Sequence, residues 1–335
     1  MADLSSLTDK TKLEALLKTM GEKPKTAKVD EAALAAHLRS RVLGQDTIVA
    51  EVAKLIRLQM GKVVKSRPIC NLLFLGPPGT GKTELCKALA EYLFGDETAL
   101  LRFDCSEFKT PESLTRLIGM PTGYVGADKG GALTRPVMAK PQRVILFDEI
   151  DKGHPNIYDL FLQMMGEGRL TEQGNNKLVD FTQSIIILTS NTHAEEIAKI
   201  QKEFTDYHDM FNAVKSSLAD AKAFREEILS RIDKVYVFSP LEGAIVAHIA
   251  LLKIAKLGKE YGLEVQFIAP ELLIKAMEAN QKVRRFGIRE LERIVNEMFA
   301  SSFADLKDQG HLTVKCDVDE AGEPVVKPGT PPARK

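Results

Sequence analysis

Hydrophobic residues along this chain form two alternating patterns, short apolar runs and longer stretches with helical spacing. The longer stretches include 82–94 and 154–168, where apolar residues recur every three or four positions. Strands that alternate with helices predict an α/β fold, a parallel sheet covered on both faces with its chemistry at the carboxyl ends of the strands. The short runs predict five strands, at 71–75, 99–105, 143–148, 184–191 and 234–238.

The pattern changes after Pro240. Three helical stretches follow, at 241–258, from Pro270 and at 288–306, with short strands at 264–268 and 311–315, and they predict a smaller, mainly α-helical domain. The last 14 residues contain four prolines and two glycines, which predicts a disordered tail. The predicted organisation is a helix and linker at 1–28, a large domain at 29–239, a small domain at 240–318 and a tail at 319–335.

Composition restricts the classes of function. The 335 residues carry 46 basic and 46 acidic side chains, so no bulk charge favours nucleic acid or anionic lipid. The four cysteines lie far apart, which predicts reduced, buried thiols. The sequence shows neither a signal peptide nor an apolar run near 18 residues, so we expect a cytoplasmic protein with no membrane partner.

A phosphate-binding pattern follows the first strand. Gly76, four residues, then Gly81, Lys82 and Thr83 match G-x-x-x-x-G-K-[ST]. Glycines let backbone N–H groups surround an anion at a helix N-terminus, and the lysine adds a charge for the outer phosphates. The threonine hydroxyl is a ligand for Mg²⁺, so ATP with Mg²⁺ is the predicted cofactor. The predicted nucleotide contacts are Gly76, Pro77, Pro78, Gly79, Thr80, Gly81, Lys82, Thr83 and Glu84.

Two carboxylates end the third strand. Asp148 and Glu149 directly follow the apolar run VILF, where a carboxylate pair would face a nucleotide on the phosphate loop. Asp148 is the predicted nucleotide and Mg²⁺ contact, and Glu149 the base that deprotonates the attacking water. A solvated acidic turn is the alternative, but such a turn rarely follows four apolar residues.

The motifs VLGQ, GPPGTGKT, GYVG, VILFDEID, GRLT, VDF, LTSN, SRID and GIRE occur in this order. Together they resemble the AAA+ ATPases, specifically the second ATPase module of the Clp/heat-shock unfoldases and disaggregases, here as a single module. The resemblance covers about 38–318. It implies a five-stranded P-loop sheet, a small helical lid domain and ATP hydrolysis to ADP and phosphate.

The resemblance also assigns residues. Val42 and Leu43 are similar to the segment that holds the adenine, and Asn191 to the sensor that positions the hydrolytic water. Arg231 resembles the arginine finger that reaches the neighbouring subunit's site, and Arg289 the second sensor. A finger that acts in trans implies a ring, and members of this family are typically hexamers.

The segment GYVG, Gly123, Tyr124, Val125 and Gly126, lies between the phosphate loop and the acidic strand. These four residue types alone favour a turn with a half-buried tyrosine. Its position resembles the pore loop that grips polypeptide substrates through sequence-independent apolar contacts. The later segment GRLTEQGNNKLVDF resembles a hairpin that supplies a second pore loop, although GNNKLVDF is longer than is usual in the family.

Two functions stay open. The first is an ATP-driven motor that unfolds, threads or disassembles polypeptides through a central pore, and the second is an ATP-dependent switch or assembly factor that does not thread. A DNA-handling protein ranks third, because no basic surface or insert is visible. Residues 192–223 contain no glycine, so the loop with which relatives dock the Clp peptidase is not predicted. Residues 1–28 form either a frayed terminal helix or a docking helix for an adaptor or neighbouring subunit.

Overall fold

The computed structural model describes residues 29–124, 126–204, 207–220, 224–241, 243–278 and 288–330. The helix predicted at 1–28 and the predicted pore-loop residue Val125 therefore lie outside the described residues. Within the described ranges, no helix combines the length and the apolar character needed to cross a bilayer. All four cysteines are buried and free, as the sequence predicts.

Ten strands and twelve α-helices make up the described part of the chain. The strands are β1 (Cys70–Leu75), β2 (Leu100–Asp104), β3 (Val144–Asp148), β4 (Arg169–Thr171), β5 (Leu178–Asp180), β6 (Ile185–Ser190), β7 (Lys234–Val237), β8 (Glu264–Ile268), β9 (Thr313–Val318) and β10 (Pro324–Pro328). The helices are α1 (Glu31–Arg41), α2 (Asp46–Met60), α3 (Lys82–Phe94), α4 (Thr115–Ile118), α5 (Thr134–Ala139), α6 (Ile157–Glu167), α7 (Ala194–Glu203), α8 (Tyr207–Asp220), α9 (Glu226–Leu229), α10 (Ala244–Glu260), α11 (Pro270–Glu278) and α12 (Ile288–Asp308).

The main sheet contains the five predicted strands in the order β2-β3-β6-β1-β7, all of them parallel. Strand β1 is central enough to be buried along its whole length, and Leu73 pairs with Leu188 of β6 and Val235 of β7. Because side chains alternate along a strand, the two faces of β1 serve two different cores. The predicted α/β fold with a five-stranded parallel sheet is confirmed.

Helices cover both faces of the sheet. One face packs Leu73 and Leu75 with Phe147 and with Phe161 of α6, and the rings of these two phenylalanines lie 4.6 Å apart, edge to face. The other face packs the alternate positions of β1 against helices α1, α2 and α3. Loops follow the carboxyl ends of the strands, and the residues predicted to carry the chemistry lie there.

The smaller domain has its own apolar core, formed around Ile254, Phe299, Phe303 and Val314. Helices α10, α11 and α12 pack here against a three-stranded sheet in the order β10-β9-β8. The domain limits predicted from the sequence remain a prediction. A second, smaller cluster of buried residues has Leu43, which follows α1, packed against it; its members are Leu241, Val246, Ile249, Ala250 and Leu291.

The expected disorder of 319–335 is wrong for the part that the structure describes. Strand β10 pairs antiparallel with β9, and Val326 lies opposite Cys316. The backbone N–H of Thr330 also donates to Gln266 Oε1 at 2.9 Å. Two of the four prolines, Pro324 and Pro328, are at the ends of this edge strand, where a missing N–H removes little pairing.

The segment after α6 is a hairpin, as predicted. Strands β4 and β5 pair antiparallel, with Leu170 opposite Val179. The 192–223 region, for which no helix was predicted, contains α7 and α8.

Candidate functional site

The phosphate loop begins where β1 ends. Gly76 adopts φ +128°, and a Cβ there would lie 2.4 Å from the carbonyl oxygen of Phe238. Gly81, directly before α3, adopts φ +100°. Both positions are in the region that favours glycine, so the chain turns tightly from strand to helix and leaves the first N–H groups of α3 without helical partners.

Lys82 lies inside this loop and is only 7% exposed. Its Nζ donates to the carbonyl oxygens of Gly76 at 2.7 Å and Pro77 at 2.8 Å, and to Asn191 Oδ1 at 2.9 Å. Burial lowers the pKa of Lys82 to about 8, and the charges of Asp148 and Glu149 oppose that shift. The side chain is therefore a partly desolvated cation that an anionic phosphate would stabilise.

Asp148 is the last residue of β3, and both of its carboxylate oxygens have partners. Arg102 on the neighbouring strand donates to Oδ2 through Nη2 at 2.7 Å and Nε at 3.1 Å, and the Thr189 hydroxyl donates to Oδ1. The same hydroxyl accepts from the backbone N–H of Glu149 at 3.0 Å. Thr189 thus fixes the two consecutive carboxylate residues relative to β6.

Glu149 adopts φ 53°, ψ 51°, a left-handed conformation that is uncommon for glutamate. Asn191 Nδ2 donates to its Oε1 at 3.2 Å and Lys152 Nζ to its Oε2 at 2.7 Å. The hydrogen bond to the Glu149 carboxylate, together with the negative charge of that carboxylate, raises the pKa of Lys152. Asn191 thus contacts both the buried lysine of the phosphate loop and the carboxylate predicted to act as base.

The predicted adenine segment adjoins the loop. Val42 is buried, and a Cβ on Gly81 would lie 3.2 Å from its Cγ1, whereas Leu43 packs beside the small cluster of the second domain. Gln45, 4% exposed, donates through Nε2 to the carbonyl oxygens of Thr80 at 3.3 Å and Ser239 at 2.9 Å. It also accepts from the Ser239 N–H at 3.3 Å.

Sequence reasoning assigned no role to Gln45, Arg102, Lys152 or Thr189. Gln45 belongs to VLGQ and Thr189 to LTSN, so motif membership could have drawn attention to these two, and Lys152 directly follows VILFDEID. Arg102 could have been found from the sheet, because it sits on β2 directly beside the strand that carries Asp148.

Among the described residues, no side-chain hydrogen bond joins Thr83 or Glu84 to this cluster. Thr83 lies half-buried in the first turn of α3, and the Glu84 carboxylate accepts from Arg41 Nε of α1 at 2.9 Å. Arg289 lies in α12, and its side chain is outside the description. The predicted roles of all these residues remain predictions.

Arg231 lies far from the phosphate loop of its own chain. Its carbonyl oxygen accepts from Asn71 Nδ2 at 3.1 Å, at the start of β1, whereas the phosphate loop follows the end of this strand. Six residues of extended chain span about 20 Å. Its Nη1 donates to the carbonyl oxygen of Glu227 at 2.7 Å.

Tyr124 is 65% exposed. It lies between Gly123, at φ +97°, and the undescribed Val125, and its backbone N–H donates to the carbonyl oxygen of Pro121 at 3.2 Å. The loop lies against the β4–β5 hairpin, because the Gln173 N–H donates to the carbonyl oxygen of Ile118 at 2.8 Å. The hairpin has its own exposed apolar side chain, Leu178, 61% exposed.

Comparison with known proteins agrees with this geometry. The family of AAA domains (Cdc48 subfamily) matches residues 67–235. The chain is 39% identical over 305 residues to "Negative regulator of genetic competence ClpC/MecB" of Bacillus subtilis, covering 87% of the chain and 37% of the relative. It is 39% identical over 306 residues to "Chaperone protein ClpB" of Oceanobacillus iheyensis, with coverage of 87% and 37%. For "Chaperone protein ClpB" of Aquifex aeolicus the identity is 42% over 285 residues, with coverage of 82% and 28%. The matches therefore span between 28% and 37% of the length of these relatives.

Proposed function

The chain belongs to the AAA+ ATPase family as a Clp-type module, and from this membership we propose that it couples Mg²⁺-dependent ATP hydrolysis to the remodelling of polypeptides. A homo-hexameric ring with a central pore is the proposed working form. Unfolding, threading or disassembly of a polypeptide is the proposed output. Nucleotide binding and ATPase activity follow from the family.

One observation carries the hydrolytic part of the proposal. The Asn191 amide accepts from Lys82 Nζ at 2.9 Å and donates to Glu149 Oε1 at 3.2 Å. One side chain therefore links the cation for the phosphates with the proposed base. We assign to Glu149 the deprotonation of the attacking water and to Asn191 the orientation of that water, since an amide can donate and accept together.

Magnesium fits the residues present. Mg²⁺ prefers one or two protein oxygens and takes its remaining ligands from phosphates and water. The Asp148 side chain is 13% exposed, so its carboxylate is shielded from bulk solvent, and Thr83 offers a hydroxyl on the first turn of α3. Bound Mg²⁺ would neutralise charge on the phosphates, while these two residues hold it in place.

We assign the arginine finger to Arg231. Its main chain lies about a strand's length from the phosphate loop of the same chain, which supports a role at a nucleotide held by another subunit. Such a residue stabilises the charge of the transferring phosphoryl group. Arg289 is the proposed second sensor.

The polypeptide part of the proposal rests on Tyr124. An exposed aromatic on a glycine-flanked loop usually makes contacts with a partner. With Leu178 of the hairpin it forms two apolar contacts for a chain in the pore. Residues 1–28 are the proposed adaptor-binding segment, and no Clp peptidase is proposed as a partner.

The test compares the wild type with Tyr124→Ala in ATP-driven unfolding of a tagged, stably folded protein, with ATP hydrolysis followed in the same samples. We expect the wild type to unfold the substrate and Tyr124→Ala to hydrolyse ATP without unfolding. Phe267→Ala, which removes another exposed aromatic, 49% exposed and on β8 of the second domain, is the matched control. If Tyr124→Ala unfolds the substrate at the wild-type rate, the assigned role of Tyr124 is wrong. If neither protein unfolds the substrate while both hydrolyse ATP, the switch function replaces threading.

A further inference from the structure

We infer that Asn71 and Gly166 are positioning residues that fix Arg231 in the geometry with which it reaches the neighbouring subunit. The inference rests on the proposed role of Arg231 as a finger acting in trans. Asn71 lies at the start of β1, whose other end leads into the phosphate loop, and both residues lie against the finger segment. Asn71 holds the main chain of Arg231 through a hydrogen bond, and Gly166 leaves room for the Arg231 side chain.

Asn71 joins two segments through one amide. Its side chain is fully buried, and Nδ2 donates to the carbonyl oxygens of Met165 at 3.0 Å and Arg231 at 3.1 Å. The end of α6 and the finger segment are therefore fixed to each other and to β1. The amide oxygen Oδ1 is buried and has no hydrogen-bond partner among the described residues. A buried polar atom without a partner is costly, so packing by itself favours an apolar residue here.

The residues that follow Arg231 are attached to the same strand. The Asp233 N–H donates to the carbonyl oxygen of Asn71 at 2.8 Å, and the Asn71 N–H donates back to Asp233 Oδ2 at 2.8 Å. Arg67, just before β1, forms an ion pair with Asp233. The finger segment is thus held at both its backbone and its carboxylate, which leaves the Arg231 side chain as the adjustable part.

Gly166 leaves the space that this side chain occupies. A Cβ at Gly166 would lie 2.8 Å from Arg231 Nε, closer than side chains tolerate, so the Arg231 side chain would have to shift. Nε is buried against this surface without a hydrogen-bond partner in the described residues, and Nη1 is held by the Glu227 carbonyl oxygen at 2.7 Å. Glycine inside a helix is unfavourable relative to alanine, so local helix stability does not account for it.

The arrangement has a consequence for the ring. Strand β1 carries the finger anchor Asn71 at its start and leads into the phosphate loop at its end. All six of its side chains are buried, so it moves as a rigid unit. In each subunit, one strand therefore connects the loop that binds its own nucleotide with the anchor of the finger that serves the neighbouring subunit.

The experiment uses the full chain and four single variants: Gly166→Ala, Asn71→Leu, Arg231→Ala and the control Gly61→Ala. At Gly61 an added Cβ would meet only ordinary contacts, the nearest at 3.4 Å. For Gly166→Ala we expect kcat to fall about 10- to 100-fold, because a finger displaced by about 1 Å loses much of its effect. Nucleotide affinity stays at the wild-type value, and the thermal midpoint is unchanged or raised. Asn71→Leu lowers kcat similarly.

Mixed rings distinguish a displaced finger from general damage. Arg231→Ala subunits keep their own base, and Glu149→Gln subunits keep their finger, so mixing the two restores turnover. The double variant Glu149→Gln/Gly166→Ala has no hydrolytic site of its own to damage, and we expect it to fail in this rescue. Rescue equal to that by Glu149→Gln would overturn the positioning role while leaving the finger in place. Unchanged turnover of Arg231→Ala alone would overturn both the positioning role and the proposed shared site.

Discussion

Gln45 gives a prediction whose size follows from the structure. It is 4% exposed and forms three hydrogen bonds that join the predicted adenine segment, the phosphate loop at Thr80 and the chain after β7 at Ser239. Gln45→Ala removes all three and leaves buried backbone groups without partners. At about 1 kcal/mol per bond, the free energy of unfolding should fall by about 3 kcal/mol.

The same change should weaken nucleotide binding. Without Gln45 the phosphate loop is no longer fixed relative to the adenine segment, so part of the binding free energy is spent on ordering it. We expect about a tenfold loss of ATP affinity, equal to about 1.4 kcal/mol. Urea denaturation followed by circular dichroism measures the first effect, and titration with a fluorescent nucleotide measures the second.

Gln183→Ala is the matched control for Gln45→Ala. Gln183 has a single long side-chain hydrogen bond among the described residues, which its Oε1 accepts from Gln142 Nε2 at 3.4 Å. It lies just before β6, at the amino ends of the strands and away from the phosphate loop. Its loss should change stability by less than about 0.5 kcal/mol. Equal stability of the two variants would refute the hydrogen-bond argument. Lost stability with wild-type affinity in Gln45→Ala would refute the positioning argument.

Two further predictions concern the site itself. Glu149→Gln keeps the Asn191 contact at Oε1 but cannot accept a proton, so it should bind ATP with wild-type affinity while turnover falls at least about 100-fold; wild-type turnover would remove Glu149 from the role of base. Because the pKa of Lys82 is lowered to about 8 in the nucleotide-free site, the lysine loses its charge as pH rises through that value. Affinity for ATP should be constant below about pH 8 and fall about tenfold per pH unit above it, whereas Lys82→Arg should show no such fall; a flat profile in the wild type would contradict the lowered pKa.

Much of the fold could be predicted from the sequence, because its elements depend on local patterns. The run from Val144 to Asp148 was predicted within one residue, and the phosphate loop lies between β1 and α3 as its spacing requires. Apolar runs and helical spacing act over a few residues, so periodicity finds them without knowledge of the partners. The glycines at 76 and 81 were identified for the same reason, since the tight turn between strand and helix needs their positive φ.

Only the tertiary structure decided which distant residues meet. Gln45 and Ser239 are 194 positions apart, and Lys82 and Asn191 are 109 apart, so no local pattern relates them. The predicted disorder of the tail was wrong for a similar reason. The proline content is a property of composition, and it does not reveal that β9 has a free edge with which the tail can pair. The inferred role of Gly166 could not be predicted from the sequence either, because it depends on the Arg231 side chain that packs against this glycine. The sequence determined the elements and the candidate chemistry through local physics, whereas burial and long-range hydrogen bonds decided how the site is held together.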